Sequence, residues 1–201
     1  MSDKFIYPLF YSDLFTKSNV GTEEQRKVLL DKINYLKENN IDSIDGSNIG
    51  CFRSTYVYGE ELDWLRKIIK DFVVEISEFY MKYDETYKTQ LSQGKQKIEM
   101  SFWTNVNEPG SKNVLHTHKG MSFACTYNLQ TEGTGNIVFR NPANVLNDCN
   151  TSSPFVRYMS TEPKDGDLLV WPAWIPHEVE INKSDKQRIN IASNIFYRLE
   201  K

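Results

Sequence analysis

Arg188-Ile-Asn-Ile-Ala-Ser-Asn-Ile-Phe196 reads as a strand with two unlike faces. Side chains alternate across a strand with a period of two. Arg188, Asn190, Ala192 and Asn194 therefore share one face, and Ile189, Ile191, Ser193 and Ile195 share the other. The isoleucine face suits packing against a helix. The opposite face turns a guanidinium and two amides into a β-core, which is costly unless a partner satisfies them. A guanidinium fork matches a carboxylate through two parallel hydrogen bonds. The bland alternative for Arg188 is a rim salt bridge with Asp185 or Glu178, of little energetic weight.

A helix able to receive the isoleucine face lies upstream. Leu62, Leu65, Ile69, Phe72, Ile76 and Phe79 recur at three- and four-residue steps, with Ile68 and Val73 widening the stripe. The spacing predicts a helix from near Glu60 into the mid-80s. Thr22-Glu-Glu-Gln25 reads as a capping box, and Val28, Leu29, Ile33 and Leu36 carry a helix towards Asn40. Residues 5–20 are expected to form a strand plus loop, and Asp42–Gly50 is turn-rich. From Lys97 the pattern changes to short strands, expected over 97–106, 121–129, 135–140, 155–160, 167–171, 177–181 and 188–197. Turn clusters separate them, among them Glu108-Pro-Gly, Glu132-Gly-Thr-Gly and Lys164-Asp-Gly-Asp. The expected architecture is α+β, with helices first and then a sandwich or closed double sheet that they cover on one face. One domain over 1–201 is expected, with a mainly helical support region at 1–95 and the β-core at 96–201.

Composition sets outer limits. The 201 residues are 39% hydrophobic and 25% charged, ordinary for one globular domain. Net charge is −3 and the basic clusters alternate with acids, so no nucleic-acid partner is expected. Cys51, Cys125 and Cys149 lack the spacing of a disulfide framework or a zinc finger. They read as reduced thiols in a cytoplasmic compartment. No apolar run has the length of a membrane span or the form of a signal peptide, so no membrane partner is expected. Nothing in the sequence speaks to oligomeric state.

The chain has three histidines. His116 and His118, two apart, point the same way on a strand. His177 follows Asp165-Gly-Asp-Leu-Leu-Val-Trp-Pro-Ala-Trp-Ile-Pro, a tight turn, a buried strand and a proline-stiffened bend. Three imidazoles closing on one metal would leave positions open for substrate and oxygen, with Arg188 holding an acidic cosubstrate beside it. The alternative is an incidental pair of solvated rings on a loop.

The motifs together resemble a known family. Trp103-Thr-Asn105, Asn113-Val-Leu-His116-Thr-His118, Glu132-Gly-Thr-Gly-Asn-Ile-Val-Phe139, Gly166-Asp-Leu-Leu-Val-Trp-Pro-Ala-Trp-Ile-Pro-His177 and Arg188-Ile-Asn190 look like the 2-oxoglutarate- and Fe(II)-dependent oxygenases, in a branch related to prolyl hydroxylases. Phe52-Arg-Ser54 before a long helix adds to the likeness, which is densest over 100–196. The resemblance implies a double-stranded β-helix, the jelly-roll, cupin-like core. It implies that His116, His118 and His177 ligate iron(II) and that Arg188 binds the distal carboxylate of 2-oxoglutarate. Tyr127 matches a family tyrosine at the cosubstrate, although strand parity sets it opposite His118 unless Lys119-Gly120 forms a bulge. Asn105 and Asn194 are further pocket candidates.

The sequence departs from the family at one position. The superfamily uses His-x-Asp or His-x-Glu and a later histidine, whereas this chain has His118 at the carboxylate position. Three neutral ligands leave iron its full double charge, which 2-oxoglutarate would offset. Glu178 adjoins His177 but should point the other way on a strand. Halogenases of the superfamily carry a small residue where His118 stands, so halogenation is disfavoured. The expected function is hydroxylation of an unactivated C–H bond in a peptidyl side chain or a small metabolite, with no catalytic side chain beyond the metal ligands. The alternatives are a three-histidine cupin-type dioxygenase that does not use 2-oxoglutarate, and a non-catalytic metal-binding jelly roll. Tyr56, Tyr58, Trp103, Trp171 and Trp174 are candidates for the pocket entrance, and Cys125 reads as a core thiol.

Overall fold

The computed structural model describes residues 13–39, 46–54, 59–81, 85, 89, 92–93, 95–142 and 158–200. The expected strand and loop over 5–12, Tyr56, Tyr58, Cys149 and residues 82–84 and 155–157 lie outside these. Thr22 caps α1 (Glu23–Glu38) as the capping box requires. Its Oγ1 accepts from the Gln25 backbone N–H at 3.2 Å, and Gln25 Oε1 accepts from the Thr22 N–H at 2.9 Å. A single 3-10 turn, Glu60–Leu62, leads into α2 (Asp63–Met81). The predicted stripe of α2 is buried, with Leu65, Ile69, Val73 and Ile76 at most 1% exposed.

The strands are β1 (Phe15–Lys17), β2 (Asn48–Arg53), β3 (Lys95–His116), β4 (Phe123–Gln130), β5 (Ile137–Arg140), β6 (Tyr158–Thr161), β7 (Leu168–Pro172), β8 (His177–Val179) and β9 (Arg188–Glu200). They pair antiparallel in the order β1-β7-β4-β9-β3-β8-β5-β6, with β2 also on β3. The long strand β3 makes the sheet double back. Its first part, Lys95–Asn107, pairs with β9, and its second part reaches β8 through Asn113 and His116.

Two sequence expectations change here. Glu108-Pro-Gly was expected to end a strand at 106, yet β3 runs through it to His116. Gly110 takes a positive φ of 85° and its N–H donates to Asn182 O at 2.7 Å. Proline and glycine at such an irregularity bend a strand instead of ending it. The turn-rich reading of Asp42–Gly50 also fails at its C-terminal end. From Asn48 the chain is β2, because the edge of β3 offers it a ladder.

Two apolar clusters follow from the alternation. On the outer face, Leu29 and Ile33 of α1 and the α2 stripe meet Phe102, Val106, Tyr127, Leu168, Val170, Ile189, Ile191 and Ile195. On the inner face, Ala124, Ile137, Phe139, Leu169, Trp171 and Ile175 pack between the two halves of the sheet. Strands β4 and β7 supply both, so nearly all their residues are buried. The result is a jelly-roll, double-stranded β-helix backed by helices on one face. Cys51 and Cys125 are free thiols, and burial pushes the Cys125 thiol up to about 12, which makes it inert. Among the described residues no helix is long and apolar enough to cross a membrane.

Candidate active site

The bend in β3 sets up the histidine cluster. His116 ends β3, His177 opens β8, and the two are Cα partners in the ladder. His118 lies just past the strand, where its N–H donates to Ala173 O at 2.9 Å. One ring nitrogen from each histidine falls within 4.8 Å of the others. The ring centroids stand 4.3 Å apart for His116 and His177, and 5.1 Å apart for each of the other pairs.

The hydrogen bonds assign the protons. His116 Nδ1 lies 2.7 Å from Val114 O, His177 Nδ1 lies 3.1 Å from Ile175 O, and His118 Nδ1 lies 2.6 Å from Asn194 Oδ1. Each partner is an oxygen that only accepts, so each Nδ1 carries the hydrogen and each Nε2 a lone pair. His118 Nε2 and His177 Nε2 are 3.3 Å apart. Two lone pairs facing at that distance repel unless a cation lies between them. A proton is a poor candidate. Burial first, and the neighbouring His116 second, push His118 down to about 4 and His177 down to about 3, and burial lowers His116 as well. Three neutral imidazoles with converging lone pairs therefore fit a divalent metal such as iron(II). No carboxylate joins the cluster among the described residues. Glu178 points away and pairs with Arg140.

The cluster opens on a cavity of about 370 Å³, within the usual size of a small-molecule site. Arg188, Asn190, Ala192 and Asn194, the polar face of β9, all line it, as do Asn105 and Trp103 of β3. Arg188 is only 1% exposed. Its Nη1 donates to Gly135 O at 2.8 Å and to Thr134 Oγ1 at 3.3 Å. Gly135 sits at a φ of 102°, and a Cβ there would come within 3.2 Å of Glu180 O, so this turn needs glycine. Burial draws the Arg188 guanidinium down to about 10, with Asp165 opposing at longer range. Among the described residues Arg188 has no ion-pair partner, which leaves a buried cation with donors to spare. It is not a rim residue.

Tyr127 does not join these groups. It lies on the outer face of β4 opposite Ile191, its hydroxyl donates to Val20 O at 2.6 Å, and its ring meets Trp64 edge-on at 5.7 Å. Thr126 faces the cavity instead and accepts from Asn190 Nδ2 at 2.7 Å. Strand parity thus holds through β4, and no bulge at Lys119-Gly120 turns Tyr127 inward. Trp103 and Trp171 line the cavity, 6.0 Å from His118 and 4.8 Å from His177, while Trp174 is half exposed and outside the lining.

Some of the lining was not anticipated. Asn107 Nδ2 donates to Asn113 Oδ1 at 2.7 Å, Asn113 Nδ2 to Asn48 Oδ1 at 2.9 Å, and Asn48 Nδ2 to Asn105 Oδ1 at 2.9 Å. This amide chain braces β2 against β3 beside the cavity. Period-two counting from Arg188 marks Asn190, and Phe52-Arg-Ser54 includes Arg53 without pointing it at the cavity, but no sequence signal marks Asn48.

Comparison with known proteins agrees with this geometry. Residues 101–194 match a family model described as "Putative 2OG-Fe(II) oxygenase". No curated protein matches the sequence significantly. A Pseudomonas putida prolyl-4-hydroxylase has a similar fold, with a TM-score of 0.65 at 12% identity and 92% of each chain covered. A Trichoplax adhaerens prolyl hydroxylase, solved with a hypoxia inducible factor peptide fragment, gives 0.64 at 13% identity, covering 91% of this chain and 83% of that one. HygX from Streptomyces hygroscopicus, solved with nickel and 2-oxoglutarate, gives 0.57 at 8% identity, covering 92% and 83%. Residues 101–194 are thus similar to the 2OG-Fe(II) oxygenases, and the jelly-roll fold is shared with structures solved with metal and 2-oxoglutarate.

Proposed function

We propose that this oxygenase holds iron(II) on His116, His118 and His177 and 2-oxoglutarate on Arg188, and that it hydroxylates an unactivated C–H bond of a peptidyl side chain or a small metabolite. The observation that carries the reading is Arg188: a fully buried guanidinium on the wall of the histidine cavity, with two hydrogen bonds and, among the described residues, no ion-pair partner. Such a charge is strongly unfavourable alone and is offset by a carboxylate.

Iron(II) supplies the oxidative chemistry when bound, coupling dioxygen to the decarboxylation of 2-oxoglutarate. The chain contributes position. Val114 O, Asn194 Oδ1 and Ile175 O keep the three Nδ1 protons in place, so that every Nε2 presents a lone pair to the metal. Arg188 fixes the far carboxylate of the cosubstrate. Ile137, Trp171 and Val179 form an apolar wall that limits water. Both substrate classes occur on this fold: the Trichoplax enzyme was solved with a peptide fragment and HygX with hygromycin B.

The third histidine also suits a dioxygenase that works without 2-oxoglutarate, but Arg188 would then have no partner. Succinate release separates the two readings. We expect iron-dependent formation of succinate from 2-oxoglutarate in air. Oxygen consumption without succinate would favour the rival.

A further inference from the structure

The amide chain that braces β2 against β3 has a direction and an open end. Asn107 donates to Asn113, Asn113 to Asn48, and Asn48 to Asn105 Oδ1. The chain stops there: among the described residues the Asn105 Nδ2 has no hydrogen-bond partner. Hydrogen bonds in series polarise one another in the same sense, so this last N–H group is a strengthened donor. Across the ladder Asn105 pairs with Asn190 of β9. Asn190 commits its Nδ2 to Thr126 Oγ1 at 2.7 Å, and among the described residues its Oδ1 accepts from nothing. Asn105 is 5% exposed, Asn190 is 9% exposed, and both line the histidine cavity. Neither open atom is sealed in the protein interior; the cavity is the space that each one reaches.

A donor and an acceptor thus stand side by side on one wall. Facing side chains on paired strands begin about 4.5–5.5 Å apart. Along β9 the pair lies one inward step, about 7 Å, beyond Arg188, and Trp103 with Ala192 comes one step further on. The proposed cosubstrate does not complete this pair. The 2-oxoglutarate dianion offers only acceptors, and its oxygens would meet the lone pairs of Asn190 Oδ1. A ligand that covers the pair must bring both an acceptor and a donor, because a buried polar atom left unmet is costly. A primary carboxamide does so on two separate atoms, with one N–H on the same side as its oxygen. A trans peptide bond turns its N–H away from its C=O, so it cannot answer both from one side.

We propose that the substrate carries a primary carboxamide, and that Asn105 Nδ2 donates to its oxygen while Asn190 Oδ1 accepts from its N–H. This rests on the reading that 2-oxoglutarate lies on Arg188, since the pair then belongs to the space left for the substrate.

The test is anaerobic calorimetry on the full chain loaded with iron(II) and saturating 2-oxoglutarate. The probes are hydrocinnamamide, its N-methyl derivative, hydrocinnamyl alcohol and benzylacetone, the methyl ketone of the same shape. Hydrocinnamamide is expected to bind at least about tenfold more tightly than each of the others, equivalent to about 1.4 kcal/mol. Asn190→Leu removes the acceptor and should weaken the amide alone, bringing amide and ketone to about equal affinity. Asn105→Leu removes the donor and should weaken amide and ketone together. A cavity merely distorted by substitution would not separate the two variants in this way. The affinity for 2-oxoglutarate should stay within about twofold in both. Glutamine with both termini blocked, compared with free glutamine, then tells a carboxamide on a peptide from one on a metabolite. No preference for the primary amide in the parent chain, or a preference that survives Asn190→Leu, would overturn the proposal. So would a loss of 2-oxoglutarate affinity in Asn105→Leu, which would put Asn105 on the cosubstrate. Failure of 2-oxoglutarate to bind the parent chain would instead sink the cosubstrate reading, and the amide preference of the iron-loaded protein would then decide the pair by itself.

Discussion

His118 shows how one side chain sets the chemistry of the site. Its Nδ1–H is held by Asn194 Oδ1 at 2.6 Å, so the ring can present only Nε2 to the cluster. Outer partners of this kind fix both tautomer and ring orientation. Asn194→Leu keeps a similar volume and removes the acceptor. Affinity for iron(II) or a manganese(II) stand-in should fall about 10- to 100-fold in a calorimetric titration, with the melting temperature of the metal-free protein little changed. An unaltered metal affinity would mean that Asn194 does not orient His118. The histidines also make stability depend on pH. His118 and His177 titrate near 4 and 3 when folded, against about 6.5 in the unfolded chain. As pH falls the unfolded chain therefore takes up protons first. Stability is complete above about pH 6.5 and erodes towards pH 4, by about 1.4 kcal/mol per pH unit for each histidine protonated only when unfolded. Urea midpoints across that range should decline with acid, and less steeply in His177→Leu.

At the level of elements, what was legible depended on whether the signal was local. The α2 stripe and the Thr22 box are written within one turn of helix, and both appear as read. The two faces of β9 follow from period two alone, and they separate cavity from core as the alternation requires. Strand β3 was misjudged because Pro109 and Gly110 read as a terminator, whereas its neighbours β8, β9 and β2 carry the ladder through the bend. Strand β2 was missed for the same reason: Asn48–Arg53 becomes a strand only because β3 is beside it. Arg53 was therefore not recognised as a cavity residue. The face of Tyr127 was decided by parity against its family counterpart, and parity prevailed. Helix α2 is the brace of the outer face. Ile69→Ala, at a site 1% exposed, should cost about 2–5 kcal/mol in urea unfolding. One metal should still bind per chain, because Ile69 belongs to the outer cluster and the histidines face inward.

On the scale of the whole molecule, one sheet folded back on itself separates two tasks. The outer face joins helices and sheet into an apolar mass, and the inner face is left free to carry polar groups that a simple core would exclude. Those groups lie far apart in sequence: Arg53, the 116–118 pair, His177 and Arg188 come from four strands and a connecting segment, and only the turn-back of β3 brings them to one cavity. We propose that this convergence binds a metal and an anionic cosubstrate together. The most direct test is anaerobic titration of 2-oxoglutarate into the iron(II)-loaded chain, comparing the parent protein with Arg188→Met. Methionine removes the charge and leaves much of the buried volume filled. Loss of one partner of a buried charge pair typically costs about 2–5 kcal/mol, so the affinity of the variant should fall at least about thirtyfold with the metal still bound. Equal affinities in the two proteins would mean that Arg188 does not hold the cosubstrate.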